Sequence, residues 1–167
     1  KIKNFIPRDD DRILMISTMK LCGLTPGRIL QIGTPLLNDN YLLDGSIITN
    51  TLPDDGYYNI IISNINLDPD NFIKHLEKCS QLLSNNDLLF LICHLATSQS
   101  RTIIQSQVNH GCWNYNNKYY YSEEALRRHL IRNNLRIKNI IYGKWVNNVQ
   151  LTQDLICSTK LKTRVNI

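Results

Sequence analysis

Two apolar runs that flank an amphipathic segment constrain the fold of this chain more than any other feature. The first run, Tyr58 to Ser63, is rich in β-branched residues, and the second, Leu88 to Cys93, is apolar throughout. Asp68 and Pro69, which lie between the runs, are typical of a helix start. The apolar positions that follow recur at helical spacing, at Phe72, Leu76, Cys79 and Leu83. A strand, a helix and a strand of this kind predict a right-handed parallel unit.

Patterns on both sides extend this unit. Arg28 to Gly33 is predicted to be a short buried strand ending in glycine, preceded by a helix over residues 9–22. Downstream, Ser122 is expected to cap a helix whose first turn carries two glutamates. Two closing strands, over residues 136–142 and 151–160, are expected to form an antiparallel hairpin. The chain is therefore predicted to be one α/β domain with a mostly parallel sheet.

Length and composition limit the class of protein. The 167 residues are 43% apolar, which is enough for one compact domain with a continuous core. The longest apolar runs fall far short of the roughly 20 residues that a membrane helix needs. We therefore expect a soluble protein without membrane association. The first residue is Lys1, which indicates that the domain was cut from a longer chain.

The five cysteines are scattered, odd in number and without a C-x-x-C pair, so they match neither a disulfide framework nor a zinc site. We expect free thiols, an intracellular location in a reducing compartment, and no metal.

The net charge of +5 indicates an attraction for phosphate-rich partners. The basic residues are concentrated in the C-terminal half, at Arg127, Arg128, Arg132, Arg136, Lys138, Lys144, Lys160, Lys162 and Arg164. This half would bind a nucleic acid or a protein on one interpretation. On the other, it is an ordinary solvated helix face with a charged tail.

Several segments, taken in order, resemble one known family. Leu24 to Gly33 looks like its turn and first strand, and Tyr57 to Asn64 looks like its fourth strand. Leu88 to Cys93 is similar to its fifth strand, and Tyr120 to Leu130 is similar to its late motif before strand six. The family is the small-molecule type of class I S-adenosylmethionine-dependent methyltransferases. The resemblance implies a Rossmann-like methyltransferase fold whose seventh strand, Asp154 to Lys160, is antiparallel.

The resemblance also implies where the cofactor would bind. In this family a glycine-rich turn after strand one approaches the amino-acid end of S-adenosylmethionine, a role that falls on Gly33 and Thr34. The end of strand four contributes Ser63 and Asn64. Pro35 lies where a second glycine is expected nearby, and proline removes a backbone donor. We therefore expect a degenerate site that binds S-adenosylmethionine if it is retained and no cofactor otherwise.

A second departure from the family lies between the first and fourth strands. The residues that separate Gly33 from Tyr58 are too few for the expected strands with crossovers of at least roughly 10 residues each, so at least one strand–helix unit is missing. The family's acidic residue at the end of strand two, which binds the ribose hydroxyls, corresponds to Asp44 on one interpretation. On the other, residues 46–50 form strand three and the acidic position is lost.

Candidate residues for catalysis are few. His94, at the end of a strand, and His110 have the chemistry of a general base, although core or surface histidines explain them as well. Trp113, Tyr115 and Tyr120 lie where the family places its substrate-covering region, and their rings would stack on a planar substrate. Aromatic residues that flank an edge strand would have the same pattern.

Three interpretations remain, of which two are methyltransferase-like. The chain is a methyltransferase-like domain with a degenerate cofactor site, or a catalytically inactive pseudo-methyltransferase that serves as a structural or binding module in a larger protein or ribonucleoprotein assembly. A different nucleotide-binding α/β domain is a third possibility.

Overall fold

The computed structural model describes residues 27–37, 44–96, 107–109, 111–115, 117–146, 149–151 and 153–161. The helices in these ranges are α1 (Pro69–Leu82) and α2 (Glu123–Arg132). The strands are β1 (Ile29–Gly33), β2 (Ile47–Thr49), β3 (Tyr58–Asn64), β4 (Leu83–Cys93), β5 (Gln107–Asn109), β6 (Cys112–Tyr115), β7 (Lys118–Tyr121), β8 (Leu135–Ile141), β9 (Trp145–Val146), β10 (Val149–Gln150) and β11 (Asp154–Lys160). The helix predicted over residues 9–22 lies outside the described residues.

Six strands form the central sheet, in the order β2-β1-β3-β4-β11-β8. The pairs β1 with β2, β1 with β3, and β3 with β4 are parallel. Strand β11, the last strand in the sequence, runs antiparallel to both of its neighbours in the sheet, β4 and β8. The mostly parallel sheet with an antiparallel hairpin at its end is therefore confirmed.

Helix α1 begins as its sequence predicts. Asp68 is extended (φ −65°, ψ 163°), and Pro69, whose fixed φ and missing N–H suit a first helical position, follows it. The helix buries the expected apolar face, with Phe72 and Leu76 pointing into the core. It ends at Leu82 because Leu83 is already extended.

Strand β4 is longer than predicted. The sequence indicates a turn over residues 84–87, but the chain passes from α1 directly into β4 at Leu83. Asn86 has a left-handed φ of +69°, and the pairing with β3 shifts register between Tyr58 and Ile60. Residues 84–87 therefore form an irregular first part of β4. Within it, Asp87 Oδ2 accepts a hydrogen bond from Ser84 N at 2.9 Å.

Helix α2 has the N-cap that its sequence predicts. Ser122 is extended, and its Oγ accepts a hydrogen bond from Ala125 N at 3.1 Å, which satisfies one of the N–H groups left open at a helix start. Leu126 and Leu130 lie one turn apart on its buried face. Neither α2 nor the other described helix is long and apolar enough to cross a membrane.

The two faces of the sheet build separate parts of the core, because alternate side chains of a strand point in opposite directions. Ile61 and its face-mates pack against α1 and α2. Ile60 and Ile62 pack with Leu36 and Leu37 on the other face. The four described cysteines are buried and take part in no disulfide bond, namely Cys79, Cys93, Cys112 and Cys157.

Two small β-structures extend from the carboxyl edge of the sheet, where its parallel strands end. Strands β5, β6 and β7 form an antiparallel sheet inserted between β4 and α2. Strands β9 and β10 form a hairpin between β8 and β11. Because β4 and β8 end at this edge and β11 begins there, both insertions start from the same side of the domain. The poor periodicity of residues 96–121 did not predict the inserted sheet.

Candidate functional site

The sheet reverses its direction of growth at β1, since β2 lies on one side of this strand and β3 on the other. In open α/β sheets, ligands bind outside the carboxyl ends of the strands at such a switch point. Gly33 and Asn64 end β1 and β3, and they are paired directly across the two strands. The structure therefore brings together two of the residues predicted to bind the cofactor.

Gly33 occupies a position that only glycine fits. Its φ is +85°, in the left-handed region that L side chains rarely adopt. A Cβ atom at this position would lie 2.4 Å from the backbone oxygen of Asn64, so any side chain would push β1 and β3 apart. The close pairing of β1 with β3 at their carboxyl ends therefore requires glycine here.

Asn64 carries an unsatisfied acceptor at the same point. The residue is 6% exposed, and its Nδ2 atom donates a hydrogen bond to the backbone oxygen of Thr34 at 3.2 Å. The Oδ1 atom is buried and has no hydrogen-bond partner among the residues that the structure describes. A buried acceptor without a partner costs about 1–3 kcal/mol, so a ligand that brings an N–H or O–H group would be stabilised here. The residues present therefore fit a cofactor with such a donor.

The loop after Gly33 is held by Gln31, which sequence reasoning did not identify. The Gln31 side chain is fully buried, and its Oε1 atom accepts hydrogen bonds from Leu36 N at 2.8 Å and Leu37 N at 3.0 Å. Its Nε2 atom donates to Leu37 O at 3.1 Å. The loop is therefore tied down to β1 by a side chain. The signal in the sequence is a single amide inside an otherwise apolar strand.

Ser63 is close to the site in sequence, but its side chain points elsewhere. Its Oγ atom is 2.8 Å from Nε2 of His75 on α1, on the sheet face opposite to the Asn64 side chain. Burial lowers the pKa of His75 to about 4, so this imidazole is neutral at pH 7. The Ser63 hydroxyl is thus engaged by a helix and does not face Gly33.

Asp44 lies apart from Gly33 and Asn64, and its role in cofactor binding stays a prediction. It precedes β2, so it lies near the amino-terminal edge of the parallel strands, opposite to the edge where Gly33 lies. Its neighbour Gly45 packs against Arg28, the residue before β1. The strand Ile47–Thr49 lies within residues 46–50, which the alternative assigned to strand three, but it pairs directly with β1, and Asn50 is the first residue at its carboxyl end.

The end of β4 forms the second half of the site. His94 follows β4 directly and is buried, with its ring centroid 4.9 Å from that of Tyr120. Its Nδ1 atom lies 2.6 Å from Oε1 of Gln150 on β10. Burial, together with the positive charge of Lys118, lowers the pKa of His94 to about 4. The other histidine proposed as a base, His110, lies outside the described residues.

The predicted substrate-covering residues form one aromatic cluster. Tyr120 is buried, and Trp113 and Tyr115 pack against it, with the Tyr115 and Tyr120 ring centroids 6.5 Å apart. Trp145 from the β9–β10 hairpin joins them. Its Nε1 atom is buried and has no hydrogen-bond partner in the described part of the chain. The sequence did not indicate Trp145, because nothing in a two-residue strand shows which surface it meets.

Asp154, a fully buried acid at the start of β11, connects the segments around this cluster. Its Oδ2 atom accepts a hydrogen bond from Leu95 N at 2.8 Å and one from Gln150 Nε2 at 3.4 Å. Its Oδ1 atom accepts from Gly143 N at 2.5 Å. One carboxyl group thereby joins the exit of β4, the exit of β8 and the β9–β10 hairpin. Sequence reasoning missed it, although an acid at the start of a buried strand is unusual.

The sequence matches no model of a known protein family and no curated protein. Solved structures share its fold. An S-adenosylmethionine-dependent methyltransferase from Clostridium acetobutylicum is 10% identical and has a TM-score of 0.63, and the match covers 94% of this chain and 93% of that one. Magnesium protoporphyrin IX methyltransferase from Synechocystis, solved with S-adenosylhomocysteine, is 11% identical with a TM-score of 0.60 over 90% and 83% of the two chains.

A third solved structure is the 1,6-didemethyltoxoflavin-N1-methyltransferase of Burkholderia thailandensis, with 1,6-didemethyltoxoflavin and S-adenosylhomocysteine bound. It is 10% identical to this chain with a TM-score of 0.59, and the match covers 92% of this chain and 79% of that one. At such identities the likeness concerns the fold. The chain has the Rossmann-like fold of the class I S-adenosylmethionine-dependent methyltransferases.

Proposed function

We propose that this chain binds S-adenosylmethionine at the carboxyl ends of β1 and β3 and is a methyltransferase with a reduced cofactor site. The observation that carries the proposal is the buried, unsatisfied Oδ1 atom of Asn64 beside Gly33, at the switch point of the sheet. Solved structures with the same fold contain S-adenosylhomocysteine or S-adenosylmethionine, which supports the choice of ligand.

Each residue of the cofactor half has a role that follows from its chemistry. Asn64 Oδ1 would accept a hydrogen bond from an ammonium or hydroxyl group of the cofactor, and Gly33 would let the backbone approach it. Gln31 holds the following loop in one conformation, so that little conformational entropy is lost when the cofactor binds. The bound cofactor supplies an electrophilic methyl group on a positively charged sulfur.

The acceptor would bind against the aromatic cluster at the end of β4. In-line methyl transfer depends mainly on positioning, and rigid aromatic rings position a planar molecule at a low entropy cost. Trp145 Nε1 would donate a hydrogen bond to the acceptor, since this atom is buried without a partner in the described ranges. Trp113, Tyr115 and Tyr120 would exclude water from the reacting atoms.

The site is reduced in two respects. Asn50 and not an acid is the first residue after β2, so the carboxylate that would bind the ribose hydroxyls is lacking at that position. The loop after Gly33 contains Pro35, which has no N–H to offer a ligand. Both features predict weaker cofactor binding than a complete site provides.

A second candidate function is favoured by the Gln31 contacts. Because Gln31 already satisfies the N–H groups of Leu36 and Leu37, these donors are not available to a ligand. This arrangement suits an inactive module in a larger assembly, with a nucleic-acid or protein partner at the basic C-terminal half. The acceptor-site aromatics would then only stabilise the domain.

Isothermal titration with S-adenosylmethionine and S-adenosylhomocysteine separates the two functions. For a methyltransferase, we expect a Kd tighter than about 100 μM. Asn64→Ala should weaken binding by roughly tenfold or more, because one hydrogen bond to a charged or hydroxyl group is lost. Asn139→Ala, which removes an exposed amide on β8, serves as the matched control and should change nothing. Absence of binding to the folded wild-type protein would contradict the methyltransferase and support the inactive module.

A further inference from the structure

Three polar side chains from separate segments are connected in series by hydrogen bonds next to the aromatic cluster. Asp154 Oδ2 accepts a hydrogen bond from Gln150 Nε2 at 3.4 Å, and Gln150 Oε1 lies 2.6 Å from His94 Nδ1. Asp154 belongs to β11, Gln150 to β10, and His94 follows β4. His94 and Gln150 are 56 positions apart in the sequence, so only the tertiary fold creates this series of hydrogen bonds.

This series of hydrogen bonds determines which nitrogen of His94 carries a proton. A carboxylate only accepts hydrogen bonds, and both oxygens of Asp154 already accept backbone N–H groups from Leu95 and Gly143. The Gln150 amide must therefore turn its NH₂ group towards Asp154 and its oxygen towards His94. Because that oxygen only accepts, Nδ1 of His94 must be the donor. The lone pair of the neutral ring is then on Nε2.

The position of the ring gives this tautomer a use. The His94 ring lies 4.9 Å from that of Tyr120, tilted by 37°, and Tyr120 is the buried centre of the aromatic cluster that would bind the acceptor. Burial keeps the imidazole neutral, so Nε2 has a lone pair at neutral pH. The positive charge of Lys118 on β7 acts on the ring, and Asp154 on β11 is connected to it through Gln150.

We propose that Asp154 and Gln150 are positioning residues that hold His94 in the Nδ1–H tautomer, so that Nε2 takes the proton of a methyl acceptor that reacts through an N–H or O–H group. The inference rests on the proposed function and deepens it by naming the class of acceptor.

A lone pair of the acceptor nitrogen or oxygen forms the bond to the methyl carbon, and the carbon–sulfur bond breaks with its electron pair going to the sulfur, which becomes a neutral thioether. The proton of the acceptor moves to Nε2, and the resulting imidazolium later gives it to water. An acceptor that reacts through a thioether sulfur has no such proton to release.

The tautomer can be tested without an acceptor, by nitrogen-15 NMR of the full chain labelled at histidine. The protein has four histidines, and comparison with His94→Phe assigns the signals of His94. At pH 7, wild-type His94 should be protonated on Nδ1. Gln150→Leu should produce a mixture of tautomers, whereas Gln150→Glu, which keeps an acceptor, should restore Nδ1–H and raise the pKa of His94. His75, held by Ser63, is the internal control and should not change. Protonation on Nε2, or the same tautomer in Gln150→Leu, would overturn the positioning role of Asp154 and Gln150.

Proton acceptance needs a second measurement, with two similar probes of which only one carries an O–H group. With S-adenosylhomocysteine present, 4-nitrophenol should shift the Nε2 signal of His94 and bind roughly tenfold more weakly to His94→Phe. The matched probe 4-nitroanisole, which lacks the O–H group, should do neither. Equal effects of the two probes, or no effect of either, would overturn the proposal. Failure of the wild-type protein to bind S-adenosylhomocysteine would be a failure of the proposed function, and the NMR tautomer would still report separately on Asp154 and Gln150.

Discussion

Gly33 and Asn64 are paired where β1 and β3 end, so close that a Cβ atom at Gly33 would lie 2.4 Å from the Asn64 backbone oxygen. The same asparagine directs a buried oxygen without a partner in the described chain to the carboxyl edge of the sheet. A close backbone approach and an open acceptor therefore coincide at one point. This coincidence, more than any single motif, carries the proposal of a cofactor site here.

Gly33→Ala should lose more stability than a glycine-to-alanine variant in which only the positive φ is unfavourable. A left-handed φ costs an L residue roughly 1–2 kcal/mol, and the contact with Asn64 adds to this cost. Gly56→Ala is the matched control, because its φ is +116° but its Cβ would only reach ordinary contact, 3.5 Å from Tyr58. Urea unfolding should give the larger loss for Gly33→Ala. Equal losses would show that the strands separate without strain.

Gln31→Leu should release the loop after β1. The substitution leaves the backbone N–H groups of Leu36 and Leu37 without their acceptor, at a cost of about 1–3 kcal/mol for each buried group. Native-state hydrogen exchange should show lost protection at these two amides, whereas Ile32, inside β1, keeps its protection. Unchanged protection of all three would mean that Gln31 does not hold the loop.

Stability should fall in mild acid because of two buried histidines. Burial lowers the pKa of His75 and of His94 from 6.5 to about 4, so between these values the unfolded chain binds protons that the native chain does not. The free energy of unfolding should therefore decrease as pH falls from about 6.5 to about 4, by about 3 kcal/mol for each histidine. Urea unfolding at pH 7 and at pH 4.5 measures this loss.

The control for this pH dependence is His75→Gln, which should remove roughly half of it. Burial raises the pKa of Asp87, which acts in the opposite direction, but this contribution cancels between the wild type and the variant. A variant as sensitive to acid as the wild type would show that His75 is not responsible.

Nucleic-acid binding, if the chain has it, should depend on α2. Arg128 and Arg132 lie one turn apart and are exposed, whereas Arg127 is paired with Glu123 at 3.3 Å. Arg128→Glu combined with Arg132→Glu should weaken binding to single-stranded RNA in fluorescence anisotropy, and the wild-type affinity should fall steeply with added salt. Lys74→Glu with Lys78→Glu on α1 makes the same change of charge at the same spacing. If both pairs weaken binding equally, α2 is not the binding surface.

Local patterns predicted much of the fold because they report on nearest neighbours along the chain. The apolar run at β3, the proline start of α1 and the Ser122 cap of α2 are each decided within a few residues. The antiparallel closing hairpin followed from two strand patterns in sequence. The position of Asp44 in the sheet could not be predicted, because a pattern does not show the edge of the sheet to which a residue belongs, and this depends on where the strand begins and on its pairing.

The sequence by itself determined the α/β class, the mostly parallel sheet and the position of Gly33 at a strand end. Only the tertiary structure decided that Gly33 meets Asn64, that Trp145 joins the aromatic cluster, and that Asp154 orients Gln150 and His94. The physical reason is that periodicity encodes which face of an element is buried, whereas a site is made of side chains that are distant in sequence and meet only when strands pair and loops close over the sheet edge.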